Sequence, residues 1–461
     1  MSATYRIQNP ATGELIEEFS FATDDDIQQH LANTAQAYTA WSAMAMSQRG
    51  KVLLKLADLF EQNAEELAAQ ATLEMGKNTR EAIGEVKYCA RIIRYYANEG
   101  ERLTADQELK NIDGQTAILR RRPVGPVLGI MPWNFPYYQV IRFAAPNLML
   151  GNTVLLKHAE ICAGTALKIE SYMREAGVLE GAYLNVFATH EQISTIIADP
   201  RIQGVSLTGS ERAGSAVAEQ AGRHLKKAVL ELGGSDPYIV LDSADVPDSA
   251  RRALFSRLSN AGQTCTSNKR LIIMDDIYDE FVAELSNLAQ ELTPGNPADA
   301  NRGEYAPLSS EAAAVGLMDQ IEEARKAGAT VQVGGERPDL PGYYVAPTVL
   351  TDIPETSRAY SEELFGPVVM IYRVQSEDEA IELANSSVYG LGGSVFSTDE
   401  QRAQAVADRL EVGMVHINAF NMGGEDLPFG GVKRSGFGRE LGPLGMDEFV
   451  NKQLVTVTSP R

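Results

Sequence analysis

The sequence predicts an α/β protein in which two parallel-sheet domains share a large interface. From residue 124 onward, short apolar runs alternate with helical patterns, the signature of βαβ units. After Gly233-Gly234 the alternation starts again, so a second α/β unit follows the first. The 461 residues, 44% of them hydrophobic, suit two or three domains at about 150 residues each and can fill a sizeable core. No repeat, low-complexity segment or flexible linker separates the halves, and a crevice between them is the default place for a site.

The elements follow in chain order. Over residues 24–77 apolar side chains recur at three- and four-residue spacing, as in Val52, Leu53, Leu56, Leu59 and Phe60, and predict amphipathic helix. A second helical block spans about 81–96. A polar segment, 104–114, then leads to an exposed strand at 116–123 whose arginine cluster reads as solvated surface. Strands are predicted at 124–131, 153–156, 204–207 and 238–241 in the first unit and its border, then at 271–274, 368–372 and 413–418 in the second. Helix-like runs at 137–150 and 211–222 provide crossovers.

Charge narrows the function. Lysine and arginine number 41 against 62 aspartates and glutamates, a formal charge of −21. Binding nucleic acid or an anionic membrane would need a segregated basic patch, and no such run occurs. Cys89, Cys162 and Cys265 are too few and too scattered for a disulfide framework. The first ten residues hold no apolar leader core, and no stretch approaches the roughly 20 apolar residues of a membrane span. The expectation is a cytoplasmic protein with free thiols and neither nucleic acid nor membrane as partner. The five histidines show no metal-ligand spacing, so no metal is expected.

Four segments could carry chemistry. Cys265 lies in the polar stretch Asn260-Ala-Gly-Gln-Thr-Cys-Thr-Ser-Asn-Lys-Arg270, whereas Cys89 and Cys162 have the small or apolar neighbours of packing cysteines. Lys269, Arg270 or backbone amides near such a loop would lower the thiol pKa and expose a thiolate. Glu231 ends an apolar strand, where a carboxylate is expensive unless it is functional or joined in a strand-end salt bridge. Met131-Pro-Trp-Asn-Phe-Pro136 describes a rigid turn presenting Asn134, either a neutral donor for an oxyanion or simply a turn residue. Gly204-Val-Ser-Leu-Thr-Gly-Ser210 runs from a strand into a helix. Its amides would suit a phosphate, and the same pattern serves an ordinary turn capped by Ser210.

Taken together, Pro132-Trp-Asn-Phe-Pro136, Glu231-Leu-Gly-Gly234, Gly262-Gln-Thr-Cys265, Glu363-Leu-Phe-Gly-Pro367 and Pro428-Phe-Gly-Gly431 stand in the order that resembles the aldehyde dehydrogenase superfamily. The resemblance covers essentially the whole chain. Within the superfamily, Leu155-Leu-Lys-His-Ala159, Arg142-Phe-Ala-Ala-Pro146 and Leu232-Gly-Gly-Ser-Asp-Pro237 are similar to the bacterial succinate-semialdehyde dehydrogenases. It implies an aldehyde dehydrogenase-like fold: a Rossmann-like cofactor domain (1–103 and 124–233), a catalytic α/β domain (234–435) and a bridging oligomerisation β-element (104–123 and 436–461). The last implies a homo-dimer or tetramer, and its strand pair would use the exposed strand and residues near 452–458.

The resemblance also implies roles. Cys265 would attack the aldehyde to give a thiohemiacetal, Asn134 with the Cys265 amide would hold the oxyanion, and hydride transfer would leave a thioester. Glu231 would activate water to release the acid, and Glu440 matches a position that relays protons. Lys157 and Glu160 would bind the adenosine ribose, Ser210 the pyrophosphate and Glu363 the nicotinamide ribose, with Phe365 beside the ring; Trp133, Gly209 and Leu232 would also contact the cofactor. Such a fold binds its dinucleotide without the usual glycine fingerprint. Glu160 would repel a 2′-phosphate, so NAD is expected in preference to NADP. Arg142, eight residues after Asn134, would grip a substrate carboxylate unless it pairs with an acidic neighbour.

Three departures matter. Thr266 and Ser267 follow the nucleophile, so no active-site disulfide switch is expected. Ser259 stands where some members carry a second substrate arginine, and His158 replaces a small residue with no assigned chemistry. The expected reaction is oxidation of succinate semialdehyde to succinate. The alternatives are another small aldehyde (glutarate semialdehyde, glycolaldehyde or lactaldehyde), a CoA-acylating reaction, which Glu231 opposes, or a non-catalytic protein on the same fold.

Overall fold

The computed structural model describes residues 4–109, 116–299, 301–420 and 423–457. The helical opening is three helices rather than one: Asp24–Ala43, Met46–Gln62 and Ala64–Met75. Met44 turns extended and Asn63 breaks the second junction, each at a non-helical backbone. The next helix, Thr79–Leu103, runs longer at both ends than its periodicity suggests. Asn78 caps it through Arg80 N.

A six-stranded sheet forms the first domain, in the order Gly436–Phe437, Lys227–Glu231, Gly204–Thr208, Pro126–Met131, Thr153–His158 and Tyr183–Asn185. All neighbours are parallel except the first pair. The three central strands are almost wholly buried, as expected of a parallel sheet covered on both faces. The register sets Thr208 beside Glu231 and Met131 beside His158. The carboxyl ends of these strands therefore share one edge, where ligands of open α/β sheets bind. Trp41, Phe60, Tyr137 and Phe143 anchor the core between this sheet and the N-terminal helices.

The second domain is a seven-stranded sheet, in the order Thr330–Val333, Thr348–Thr351, Val368–Val374, Arg270–Met274, Pro237–Val240, Gly392–Phe396 and Met414–Ile417. Only Thr330–Val333 is antiparallel to its neighbour. A third sheet joins Gln107–Leu109, Thr116–Pro123 and Val450–Val457, the last two paired from Pro123↔Val450 to Thr116↔Val457. Thr458, the end of the expected bridging strand, lies outside the described residues. The arginines here are less solvated than expected, since Arg121 is half-buried against Asp447 at 2.8 Å.

One expected boundary moves. The bridging element is expected at 436–461, yet Gly436–Phe437 pairs with Lys227–Glu231, and the helix Gly442–Met446 packs against Tyr138–Leu150. Gly436 permits this closeness. It sits at φ +112, and a Cβ there would lie 2.0 Å from the Leu230 carbonyl oxygen. The chain thus leaves the second domain to complete the sheet that carries Glu231. Among the described residues, no helix is long and apolar enough to cross a membrane.

Candidate active site

Two cavities meet at Cys265. One, of about 190 Å³, is lined by Trp133, Asn134, Gly209, Ser210, Glu231, Leu232, Glu363 and Phe365 as well as Cys265. Nine of the twelve candidate residues are therefore brought to one wall. The other cavity, about 690 Å³, opens on the far side of the thiol between Tyr88, Phe135, Tyr138, His416 and Phe429.

The loop that carries Cys265 is built from strained backbone. Asn260 and Ala261 both hold left-handed angles, φ 53 and 54. Arg257, fully buried, fixes the loop by donating to Gly262 O at 2.9 Å and Ser267 Oγ at 2.9 Å, and to Leu364 O, Gly366 O and Val368 O at 2.7–2.8 Å. Lys269 Nζ donates to Thr264 O at 2.9 Å and Cys265 O at 2.8 Å and pairs with Glu363 at 3.0 Å. The Cys265 loop and the Glu363 loop are thereby knotted together.

The thiol is not acidified as expected. Burial pushes it up to about 11, outweighing the pull of Lys269 and Arg142, while Glu363 and Asp236 push the same way as burial. Arg270 gives no direct help, because its guanidinium is spent on Ser235 O, Leu383 O and Ala384 O. Cys265 rests as a neutral thiol.

Asn134 Nδ2 donates to Gln263 O at 3.0 Å, and Asn260 Nδ2 donates to Asn134 O at 2.8 Å. One amide hydrogen of Asn134 remains, and no acceptor among the described residues takes the Cys265 N–H. These two donors suit an oxyanion. Two carboxylates on the helix Thr79–Leu103 set their spacing. Glu85 accepts from Tyr137 N at 2.8 Å and Tyr138 N at 2.9 Å and pairs with buried Lys77, whose Nζ lies 3.5 Å over the Phe135 ring. Glu81 accepts from Asn260 N and Ser259 Oγ, at 3.1–3.2 Å. His158 finishes the Asn134 turn: its Nδ1 accepts from Ala159 N, so Nε2–H donates to Pro136 O at 2.9 Å. Burial holds this imidazole neutral, with a pKa of about 4.

Glu231 is in no strand-end salt bridge. Both its oxygens are buried and unpartnered among the described residues. Burial pushes it well above the usual carboxylate range, Arg142 offsets part of that, and Glu440 adds to it. A carboxyl of raised proton affinity facing a cavity is suited to general-base work.

Arg142 is the candidate that the structure places elsewhere. It lines neither cavity and is fully buried, paired with Glu440 and donating to Thr208 Oγ1 at 3.2 Å. Burial works against its charge, but Glu440, Tyr138 and Glu231 outweigh it. The expected grip on a substrate carboxylate is corrected to an internal ion pair, because the fork is already occupied. Glu440 in turn accepts from Ser206 Oγ at 3.2 Å.

Lys157 and Glu160 sit apart from the thiol at the end of Thr153–His158, one strand over from the Asn134 turn, and pair at 2.5 Å. The residues fit a dinucleotide. Gly233 leaves a cradle where a Cβ would meet Glu363 Oε2 at 2.4 Å, Ser210 opens a 13-residue helix, and Trp133 and Phe365 meet edge-on at 5.7 Å. Sequence reasoning missed Arg257, Lys77, Glu81, Glu85 and Gln139. The i, i+4 spacing of Glu81 and Glu85 was a readable sign of a shared face. Nothing local marked Arg257.

Similarity to known proteins extends over nearly the whole chain. The aldehyde dehydrogenase family model matches residues 1–455. The chain is 52% identical over 447 residues to a succinate-semialdehyde dehydrogenase [NADP(+)] of Deinococcus radiodurans, covering 97% of this chain and 93% of that one. A solved succinic semialdehyde dehydrogenase from Streptococcus pyogenes in complex with NADP+ superposes with a TM-score of 0.96 at 42% identity, covering 99% of this chain and all of that one. Betaine aldehyde dehydrogenase from Staphylococcus aureus, solved with NAD+, gives 0.95 at 31%, covering 99% and 92%. The chain belongs to the aldehyde dehydrogenase family.

The raised thiol sets a testable pH dependence. Alkylation of Cys265 by iodoacetamide should accelerate continuously from pH 7 toward 11, because only the thiolate reacts and it appears as pH climbs through the raised pKa. Cys89 and Cys162, both buried, should stay unlabelled. A rate already flat at pH 7 in peptide-mapped Cys265 would show an acidic thiol instead.

Proposed function

We propose that the protein oxidises succinate semialdehyde to succinate, with Cys265 as nucleophile and Glu231 as the base that activates water. The observation that supports this reading most is the position of Cys265 at the junction of two cavities, with an unpartnered carboxyl in one of them. The aldehyde would enter through the larger cavity and place its carbonyl at Sγ. As sulfur adds to carbon, the Asn134 amide and the Cys265 N–H take the developing oxyanion. Gly209, Ser210, Trp133, Leu232, Glu363 and Phe365 would hold the dinucleotide in the smaller cavity, and Lys157 and Glu160 its adenosine ribose. When bound, it supplies the hydride acceptor that makes the oxidation possible. Water then adds to the acyl carbon of the Cys265 thioester, giving one proton to Glu231, and the C–S bond breaks to release the acid. The bridging sheet supports assembly into a homo-oligomer, dimer or tetramer.

Glu231→Gln tests the division of labour. It should give one NAD(P)H per subunit in a rapid burst and then slow by about a hundredfold or more, read by stopped-flow absorbance. Wild-type steady turnover without a burst would assign the water to another base.

The cofactor expected on charge is NAD, and Glu160 supports it, although the Deinococcus relative is an NADP(+) enzyme by name and the Streptococcus one was solved with NADP+. Lys157 already neutralises Glu160, so a 2′-phosphate would have to displace that pairing. Glu160→Ser should raise kcat/KM for NADP relative to NAD by about tenfold or more. A wild type that already favours NADP would overturn the preference.

The substrate's far end allows a second reading. Among the described residues lining the larger cavity there is no lysine or arginine, which favours a small uncharged aldehyde. The buried Tyr88 hydroxyl, unpartnered among the described residues, is the donor that supports a carboxylate. Arg142→Ala decides how far charge recognition depends on that residue. As a buried ion-pair partner it should lower activity on succinate semialdehyde and on propanal alike, together with stability, by about 3–5 kcal/mol. A loss confined to succinate semialdehyde would restore Arg142 to substrate binding.

A further inference from the structure

Cys265 and Gln139 alone, among the described residues, line both cavities. Gln139 stands on the first turn of the helix Tyr138–Leu150, five residues after Asn134, and its backbone N–H donates to Phe135 O at 3.0 Å. Its side chain is buried to 1% exposure and its Oε1 has no hydrogen-bond partner among the described residues. A buried, unmet carbonyl oxygen costs stability unless a donor arrives. Here the neighbouring space is a cavity that also contains the nucleophile and the Glu231 carboxyl.

We propose that Gln139 is a further catalytic residue, whose amide oxygen accepts a hydrogen bond from the water that hydrolyses the Cys265 thioester. The inference rests on the reading of Cys265 and Glu231 given above. A water attacking the acyl carbon has two O–H bonds. One proton passes to Glu231 as the O–C bond forms, and the other points to Gln139 Oε1 and stays on the oxygen of the product acid. The C–S bond breaks and the sulfur leaves as thiolate, to be reprotonated. Holding the second hydrogen fixes the direction of the oxygen lone pair, which is the orientation that makes attack effectively intramolecular. Gln139 thus acts in the second half of the reaction and leaves sulfur addition untouched.

The test is Gln139→Met, similar in volume but without the acceptor, assayed with succinate semialdehyde and saturating dinucleotide. The burst should persist at one NAD(P)H per subunit, while steady turnover falls about tenfold or more. Mass spectrometry should find the acyl group on Cys265. Hydroxylamine, a nucleophile that needs no held water, should restore turnover. Gln139→Glu, which keeps an acceptor oxygen, should run faster than Gln139→Met. Glu231→Gln combined with Gln139→Met should be little slower than Glu231→Gln alone, because both act on one water. Unchanged steady turnover, a lost burst, or no rescue by hydroxylamine would overturn the proposal. If Gln139→Met fails to fold, Gln139→Glu and Gln139→Leu carry the same comparison. Wild type run in parallel separates the two levels: no NAD(P)H from any aldehyde would defeat the oxidation itself, whereas active wild type with an unaffected variant would defeat only the role of Gln139.

Discussion

Glu81 and Glu85, one turn apart on the helix Thr79–Leu103, hold the two halves of the reacting centre in one frame. Glu85 gathers the amides that begin the helix after Asn134, and Glu81 gathers the amide and hydroxyl that begin the left-handed bend before Cys265. Each is a charge-assisted hydrogen bond to backbone, stronger than its neutral equivalent. Asn134, the proposed oxyanion donor, belongs to the first domain and the Cys265 thiol to the second. Neither domain alone could set their separation to the few tenths of an ångström that an oxyanion site requires. The N-terminal helices, which contribute no reacting atom, are therefore part of the mechanism.

The interior solves a costly electrostatic problem in three ways. Lys77 and Glu85 neutralise each other, Arg257 is satisfied by four carbonyls and one hydroxyl, and Arg142 is taken by Glu440. Glu231 stands out against this pattern as a carboxyl with no hydrogen-bond partner among the described residues. Burial raises its proton affinity, which suits the proposed role of taking a proton from water. A fully satisfied carboxylate could not do this, since every hydrogen bond it accepted would lower its basicity. The unpaired group is tolerated because its neighbours are tied down so completely.

The fold was legible because its alternation of buried strands and amphipathic helices is dense, and because a parallel sheet leaves near-continuous apolar runs such as Thr153–His158. The site residues were legible through five motifs whose order is specific, and the structure gathers most of them. What the sequence concealed has a common physical cause. The environment of a charged side chain depends on residues hundreds of positions away. Lys269 stands four residues after Cys265 yet spends its protons on carbonyls, and burial reverses the pKa shift expected from its charge. Arg142 has the right spacing for a substrate contact, but Glu440, nearly three hundred residues later, reaches it first. Periodicity makes 24–77 look like one stretch of helix because it survives two breaks that need only one or two residues each.

The pairing of Gly436–Phe437 with Lys227–Glu231 has a consequence for how the chain is made. The strand that carries Glu231 finds its outer neighbour some two hundred residues later, on the other side of an entire domain. During synthesis the first sheet must wait, one edge open, while the whole second sheet emerges and folds. A nascent or prematurely terminated chain would hold a thiol and a carboxyl without the enclosure that tunes them, and would present an unpaired strand edge to other chains. Enclosure of the proposed base is thus coupled to late-made chain: Gly436–Phe437 and Gly442–Met446 are the closing clasp of the first domain.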